Sequence, residues 1–288
     1  MIRAVLRKEL AVLWASPLPY VVGALFNAVT GLLFIDQLRG REQALLQPLF
    51  PLAGFLLLVA VPVLAMRSLA DERRTGSLDL LLAVSVPARS LVVGKWLAAW
   101  LVSMAVAAPT AVFAALVFRF GAPDSGPLTS GFLGLVLLAG AVAALGVLAS
   151  SLTSSQPVAA MVAVFAVLVL WFAGAGPDAG SAGLGGALAH FSLSERLRSF
   201  SGGAVDTGDV AFFVCLAAGG LVVAAAAVRP PRGLLRAAGV ALLLVAVVGA
   251  DVAADRSRRV VDLTANDSLS LTAETKQVVG QVRQRTVV

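Results

Sequence analysis

Five charged side chains, Asp71, Glu72, Arg73, Arg74 and Asp79, crowd into nine residues of a chain in which only 13% of residues carry charge. They lie in RSLADERRTGSLDLLL, Arg67 to Leu82, between two long apolar stretches. Thr75-Gly76-Ser77 supplies a break and a helix cap, because glycine tolerates the conformation that ends a helix and serine caps the next one. The run that follows, Leu78 to Val84, is apolar but for Asp79, ends at Pro87 and is too short to cross a bilayer. The pattern reads as a short helix that presents charge and leucine to something soluble, or as a solvated connecting loop.

Bond-breaking chemistry has little to work with. Gly94-Lys95 is followed by Trp96, and Arg89 stands where a phosphate-binding G-x-x-x-x-G-K-[ST] loop needs its first glycine. The chain does not bind ATP by that device. One histidine, His190, and one cysteine, Cys215, make no metal cage of the usual spacing, and neither H-E-x-x-H nor G-x-S-x-G occurs. His190 reads as an interfacial side chain and Cys215 as packing in the lipid phase. No catalytic residue and no bound cofactor are expected.

The elements that hold the charged stretch are membrane helices. Hydrophobic residues make up 59% of the 288, well above the roughly 45–50% of soluble domains. A helix rises about 1.5 Å per residue, so about 20 apolar residues match the hydrocarbon core. Seven runs approach that length: 18–35, 49–66, 91–118, 131–152, 157–174, 210–228 and 234–250. The third exceeds what a bilayer needs, so it tilts or begins as a cytoplasmic extension. Fourth and fifth form an antiparallel hairpin about Ser150 to Pro157, a turn of serine, threonine and proline.

Lysine and arginine set the orientation. With the N-terminus inside, inner segments hold 11 (Arg3, Arg7, Lys8, Arg67, Arg73, Arg74, Arg89, Lys95, Arg229, Arg232, Arg236) and outer loops 5 (Arg39, Arg41, Arg119, Arg196, Arg198). The positive-inside rule favours that arrangement, and seven spans then leave the tail after Asp251 outside. The high isoelectric point follows from the same residues, and no nucleic-acid signature accompanies it. Residues 1–16, MIRAVLRKELAVLWAS, mix Arg3, Arg7, Lys8 and Glu9 with Ile2, Val5, Leu6, Leu10, Leu13 and Trp14. They read as an amphipathic helix on the inner membrane face ended by Ser16-Pro17, or as the charged start of an extended first span. Asp36, Asp124, Asp209 and Asp251 fall at span ends, and mid-span polar residues are mild: Asn27, Thr30, Ser103, Thr110. These are expected to bond between helices. The lack of ionisable groups within the spans disfavours an ion-coupled carrier.

Asp71 to Trp100, DERRTGSLDLLLAVSVPARSLVVGKWLAAW, resembles the signature of type-2 ABC exporter permeases, especially their gliding-motility and copper-maturation-type branch. Glu72, Gly76, Ser77, Asp79, Leu80 to Leu82, Pro87, Gly94 and Lys95 carry the match. A second match, His190 to Phe213, HFSLSERLRSFSGGAVDTGDVAFF, is similar to the outer re-entrant region of that family, with His190, Phe200, Gly203, Asp206, Asp209 and Phe213 at its motif positions. The resemblance covers residues 1–228. It implies an all-α integral membrane protein built as a six-span bundle over 17–228 behind an N-terminal interfacial helix. It further implies a cytoplasmic coupling loop at 67–90, with Asp71 to Asp79 docking on a separate ATPase subunit, and an outer re-entrant region at 175–209.

The same resemblance implies the partners and the place. Two copies of an ATPase subunit would hold the ATP and Mg, and the bundle, half a transporter, would pair with itself or with a second permease in a bacterial cytoplasmic membrane. Residues 229–251 add a seventh span, and 252–288 resemble the opening of the auxiliary subunit of gliding-motility-type ABC systems, incomplete as it stands. There Val260 to Thr264 reads as a strand, Thr272 to Thr275 as a helix start and Thr286 to Val288 as another strand, a short extracytoplasmic α/β tail. The implied function is that of a permease whose conformation a separate ATPase drives. The alternative from a different class is a membrane scaffold that gathers an ATPase and an outer domain without passing cargo.

Overall fold

The structure, a computed structural model, describes residues 1–40, 47–83, 87–120, 124–175, 190–228, 248–249 and 259–263. Its helices are α1 (Ile2–Ala15), α2 (Leu18–Gly40), α3 (Leu49–Ala65), α4 (Arg67–Thr75), α5 (Ser77–Ala83), α6 (Ala88–Ala107), α7 (Thr110–Phe120), α8 (Ser125–Leu152), α9 (Gln156–Phe172), α10 (Leu193–Ser201) and α11 (Thr207–Val228). A short strand, β1 (Ala204–Asp206), pairs antiparallel with β2 (Val260–Asp262). Among the described residues, five stretches are long and apolar enough to cross a membrane: Leu18–Asp36, Leu49–Thr75, Ala88–Arg119, Ser125–Leu152 and Thr207–Val228. The apolar α9, at 17 residues, is slightly shorter. The seventh run lies outside the described residues except at 248–249, as do 84–86 of the charged loop, 176–189 of the outer region and the tail from 264 on.

Helix α8 is the centre, packed against α3, α6, α9, α10 and α11. Its Ala139, Ala141, Val142, Ala143, Ala144 and Val147 are all fully buried, and small side chains at these positions let neighbouring backbones approach. By contrast α2 lies at the edge and exposes Tyr20, Val21, Leu25 and Leu32. The two ends of the bundle differ. At one end, called the base here, α1 and α4 meet the end of α8 and the starts of α6 and α9. At the other, the head, α10 seats on the starts of α8 and α11 and the end of α9.

Local chemistry explains where the elements depart from the apolar runs. The third run is one rod broken in two: Pro109 has no N–H to give and crowds the preceding turn, so α6 stops and α7 restarts. The fourth helix begins at Ser125, earlier than 131, because Asp124 caps it by accepting from Gly126 N at 2.9 Å. The expected turn after it is shorter, confined to 153–155, and Ser150 and Ser151 remain helical and buried. The sixth helix starts at Thr207 rather than 210, which puts Asp209 in its first turn. Of the mild polar residues, Asn27 bonds across helices, from Nδ2 to Val106 O at 2.9 Å. Thr30, Ser103 and Thr110 instead return to carbonyls three or four residues back, at Phe26, Ala99 and Ala107.

Candidate functional site

Helix α4 is short and strongly charged, so its form depends on its ends. Its first N–H groups are capped from a different helix: Ser150 Oγ, on α8, accepts from Leu69 N and Ala70 N, both at 2.9 Å, and donates to Met66 O at 2.9 Å. One hydroxyl thereby uses its donor and both acceptor positions. At the other end Gly76 takes φ +71°, the left-handed conformation that ends helices and that glycine adopts without penalty. Thr75 Oγ1 bonds back to Asp71 O at 3.0 Å, and α5 begins at Ser77.

Successive residues of a helix point about 100° apart, and the three consecutive charges on α4 therefore reach three different neighbours. Asp71 Oδ1 accepts from Gln156 Nε2 of α9 at 2.9 Å and from Arg74 Nη2 at 2.9 Å. Glu72 Oε1 accepts from Lys95 Nζ of α6 at 2.9 Å and from Lys8 Nζ of α1 at 3.3 Å. Arg73 Nη2 donates to Ala227 O of α11 at 3.2 Å. Inner and outer faces of the charged stretch are thus distinct. Arg74 is exposed, Thr75 and Gly76 with it, and Leu80 on α5 is 70% exposed, whereas Leu78 is buried. Ser77 Oγ meets Thr75 Oγ1 at 3.0 Å, and Asp79 lies within α5.

The expectation that ionisable groups stay out of the packed interior does not hold. Lys95 is 2% exposed, and its Nζ lies 2.8 Å from Glu9 Oε1 as well as 2.9 Å from Glu72 Oε1. A buried ammonium is costly unless paired; this one has two carboxylates, with the exposed Lys8 3.3 Å from Glu72 and 3.9 Å from Glu9. The partners come from chain positions 86 and 23 residues away, so no spacing rule links them. Gly94 and Lys95 stood in the motif that carried the resemblance. Glu9, Lys8, Ser150 and Gln156 gave no signal of a shared site beyond their polarity.

A second buried ionic group sits at the head. α10 opens with Ser192, whose Oγ accepts from Glu195 N, and buries Leu193, Leu197 and Phe200 along one face, the i, i+4, i+7 spacing of an amphipathic helix. The same face carries Arg196, whose Nη1 lies 2.8 Å from Asp209 Oδ1 of α11; their side chains are 6% and 4% exposed. Arg196 also donates to His190 O, approaches the His190 ring and lies over the Phe212 ring at 4.8 Å. Gly134 lets α10 approach closely, since a Cβ there would stand 2.8 Å from Phe200 Cβ.

The remaining motif residues of the outer region shape the chain between α10 and α11. Gly203 takes φ +99° to turn from α10 into β1. Asp206 Oδ1 accepts from Gly208 N at 2.8 Å and so closes the start of α11. Phe213 packs on Phe200 and Phe212. Of the predicted outer set, Asp209 and His190 both meet Arg196, a residue outside that set, while Gly203 and Asp206 organise the strand beside them.

The arrangement contains paired charges at both ends of an apolar bundle, suited to holding helices in register. A comparison with curated proteins finds no match. The model of the family described as ABC-2 family transporter protein matches residues 15–178, from the end of α1 through α9. That match takes in all of α4 and α5 and extends over more than half of the chain. A multi-pass apolar bundle with this match is a membrane subunit of an ABC transporter, and the chain belongs to the ABC-2 transporter family.

Proposed function

We propose that this chain is the permease subunit of an ATP-driven exporter, in which a separate ATPase subunit docks on the α4–α5 segment and its cycle of closure rearranges the spanning helices. The observation that supports this reading best is the two-sided character of α4. Its outer side offers Arg74 and Thr75, continued by Gly76 and by Leu80 of α5, and its inner side is tied to α1, α6, α8, α9 and α11. A helix exposed on one side and bonded to five others on the other can turn a local push into a shift of the whole bundle. ATP and Mg belong to the partner in this reading, two ATPase copies serve two permease halves, and those halves are two copies of this chain or this chain with a second permease.

The base faces the cytoplasm, in line with its lysine and arginine excess, and α1 lies along the inner membrane surface with Arg3, Arg7 and Lys8 exposed. The membrane is the bacterial cytoplasmic membrane, and the branch is the gliding-motility type. Val228 lies at the base and β2 at the head, where Thr207 N donates to Arg259 O at 3.1 Å, and the apolar run 234–250 that separates them in the sequence is the seventh span of this reading. The tail that follows opens an auxiliary extracytoplasmic domain.

The test is purification of the chain from its native membrane in mild detergent, with mass spectrometry of what stays bound. Wild type is expected to retain an ATPase subunit, and Arg74→Glu combined with Leu80→Asp to lose it while inserting normally. Glu72 is unsuited to this test because its side chain belongs to the bundle. No ATPase in the wild-type sample would sink the exporter reading and, with it, a scaffold that gathers an ATPase. An ATPase retained by the double variant would remove the docking role from α4–α5.

A further inference from the structure

Two carboxylates from different helices converge on one buried ammonium at the base. α1 and α6 already pack by apolar contact: Val5 lies against Gly94, where a Cβ would stand 2.8 Å from Val5 Cγ1, and Leu13 is buried. α4 is likewise held to α8 by Ser150. The backbone of α4 lies against α5, α8, α9 and the end of α3, and the Lys95 side chain reaches it from α6. Ion pairs are therefore not required to bring these helices together. A buried pair generally contributes little net stability compared with apolar packing, so this one calls for a different role.

We propose that the Lys95–Glu72 bridge is the element that carries motion of α4 into the spanning helix α6, with Lys95 as a positioning residue and Glu9 and Lys8 holding its ammonium and balancing the charge. The inference rests on the docking reading given above. The physical basis is directional stiffness. Lys95 Nζ is fixed from two sides, by Glu9 Oε1 at 2.8 Å and Glu72 Oε1 at 2.9 Å, and its side chain is 1% exposed, so water does not replace either contact as α4 moves. If α4 withdrew alone, it would strand Glu72 or the ammonium in a poorly solvated place. The cheaper movement takes α6 along. Glu9 is tied to the same ammonium from α1 but is not one of the two groups that form the bridge between α4 and α6.

This difference supplies the test. Glu72→Gln and Glu9→Gln are isosteric, remove one carboxylate each from similarly buried positions (side chains 11% and 13% exposed) and leave Lys95 one carboxylate partner. Each is prepared with the ATPase subunit as a complex in proteoliposomes, in a Cys215→Ser background carrying Arg198→Cys on the exposed head side of α10. The readouts are the melting temperature, ATPase retention and the change in rate of thiol labelling at position 198 when ATP and vanadate are added. Similar melting temperatures are expected for the two variants, with the nucleotide-dependent change reduced at least tenfold in Glu72→Gln and kept within twofold in Glu9→Gln. A purely structural role would affect both alike, and that result overturns the proposal, as does a wild-type response from Glu72→Gln. Should Glu72→Gln not fold, the neutral triple variant Glu9→Gln/Glu72→Gln/Lys95→Met is measured instead; it too is expected to retain the ATPase and lose the response, and a retained response overturns the proposal. A wild-type complex that binds no ATPase fails at the docking step, and the proposal fails with it.

Discussion

At the residue scale, the buried charges make the strongest predictions. Arg196→Ala leaves Asp209 in a site where it is 4% exposed and has lost the guanidinium 2.8 Å away. Breaking a buried pair on one side costs about 3–5 kcal/mol. Thermal unfolding in detergent should show a clear drop in melting temperature, and an unchanged value would mean that Asp209 finds another partner or takes up a proton. Ser150→Ala removes the hydroxyl that serves Leu69 N, Ala70 N and Met66 O together. The expected loss is about 1–2 kcal/mol, the magnitude of a lost helix cap. Its particular signature is faster hydrogen exchange at the amides of Leu69 and Ala70, while amides elsewhere on α8 keep their protection.

At the element scale, the seating of α10 depends on how closely α8 lets it approach. A Cβ on Gly134 would meet Phe200 Cβ at 2.8 Å and Leu197 Cδ1 at 2.9 Å, which are atoms near the backbone or held in a packed cluster. Gly134→Val therefore pushes α10 outward, at about 1–3 kcal/mol for overpacking. Hydrogen exchange over Leu193 to Ser201 should rise, with α4 at the far end unaffected. Uniform destabilisation of both ends would argue instead that α8 itself was distorted. The same logic explains why polar residues open α8: Ser130 Oγ bonds to Phe200 O at 2.6 Å, so the head end of this helix was built for α10 rather than for lipid.

At the scale of the whole molecule, the proposed topology puts the two ends of the bundle on opposite sides of the membrane. Single cysteines at Arg3 and Arg198, placed in a Cys215→Ser background, should react with an impermeant thiol reagent from opposite faces, Arg198→Cys in intact cells and Arg3→Cys after permeabilisation. The reverse pattern would invert the proposed topology. The tail is tested by the register Val205↔Val261. Directly opposed antiparallel residues lie within disulfide reach, so Val205→Cys with Val261→Cys should cross-link under mild oxidation. Failure to cross-link, with both cysteines labelled, would separate β2 from the head.

The sequence by itself determined the elements. Long apolar runs identified most of the spanning helices because burial in lipid is a property of composition over about 20 residues. The break at Gly76 comes from backbone chemistry that the residue carries wherever it stands, whereas the break at Pro109 divides a run read as one over-long span. Motif positions pointed to both ends of the bundle. What only the tertiary structure decided is which charges face inward. Glu72 stood among residues read as facing a soluble partner and turned toward Lys95, and Asp209, read as the end of a span, was buried beneath Arg196. Hydropathy sums the cost of a charge without knowing its partner. These partners lie 13 to 86 residues apart in the chain, and only the folded bundle brings them to within 3 Å of one another.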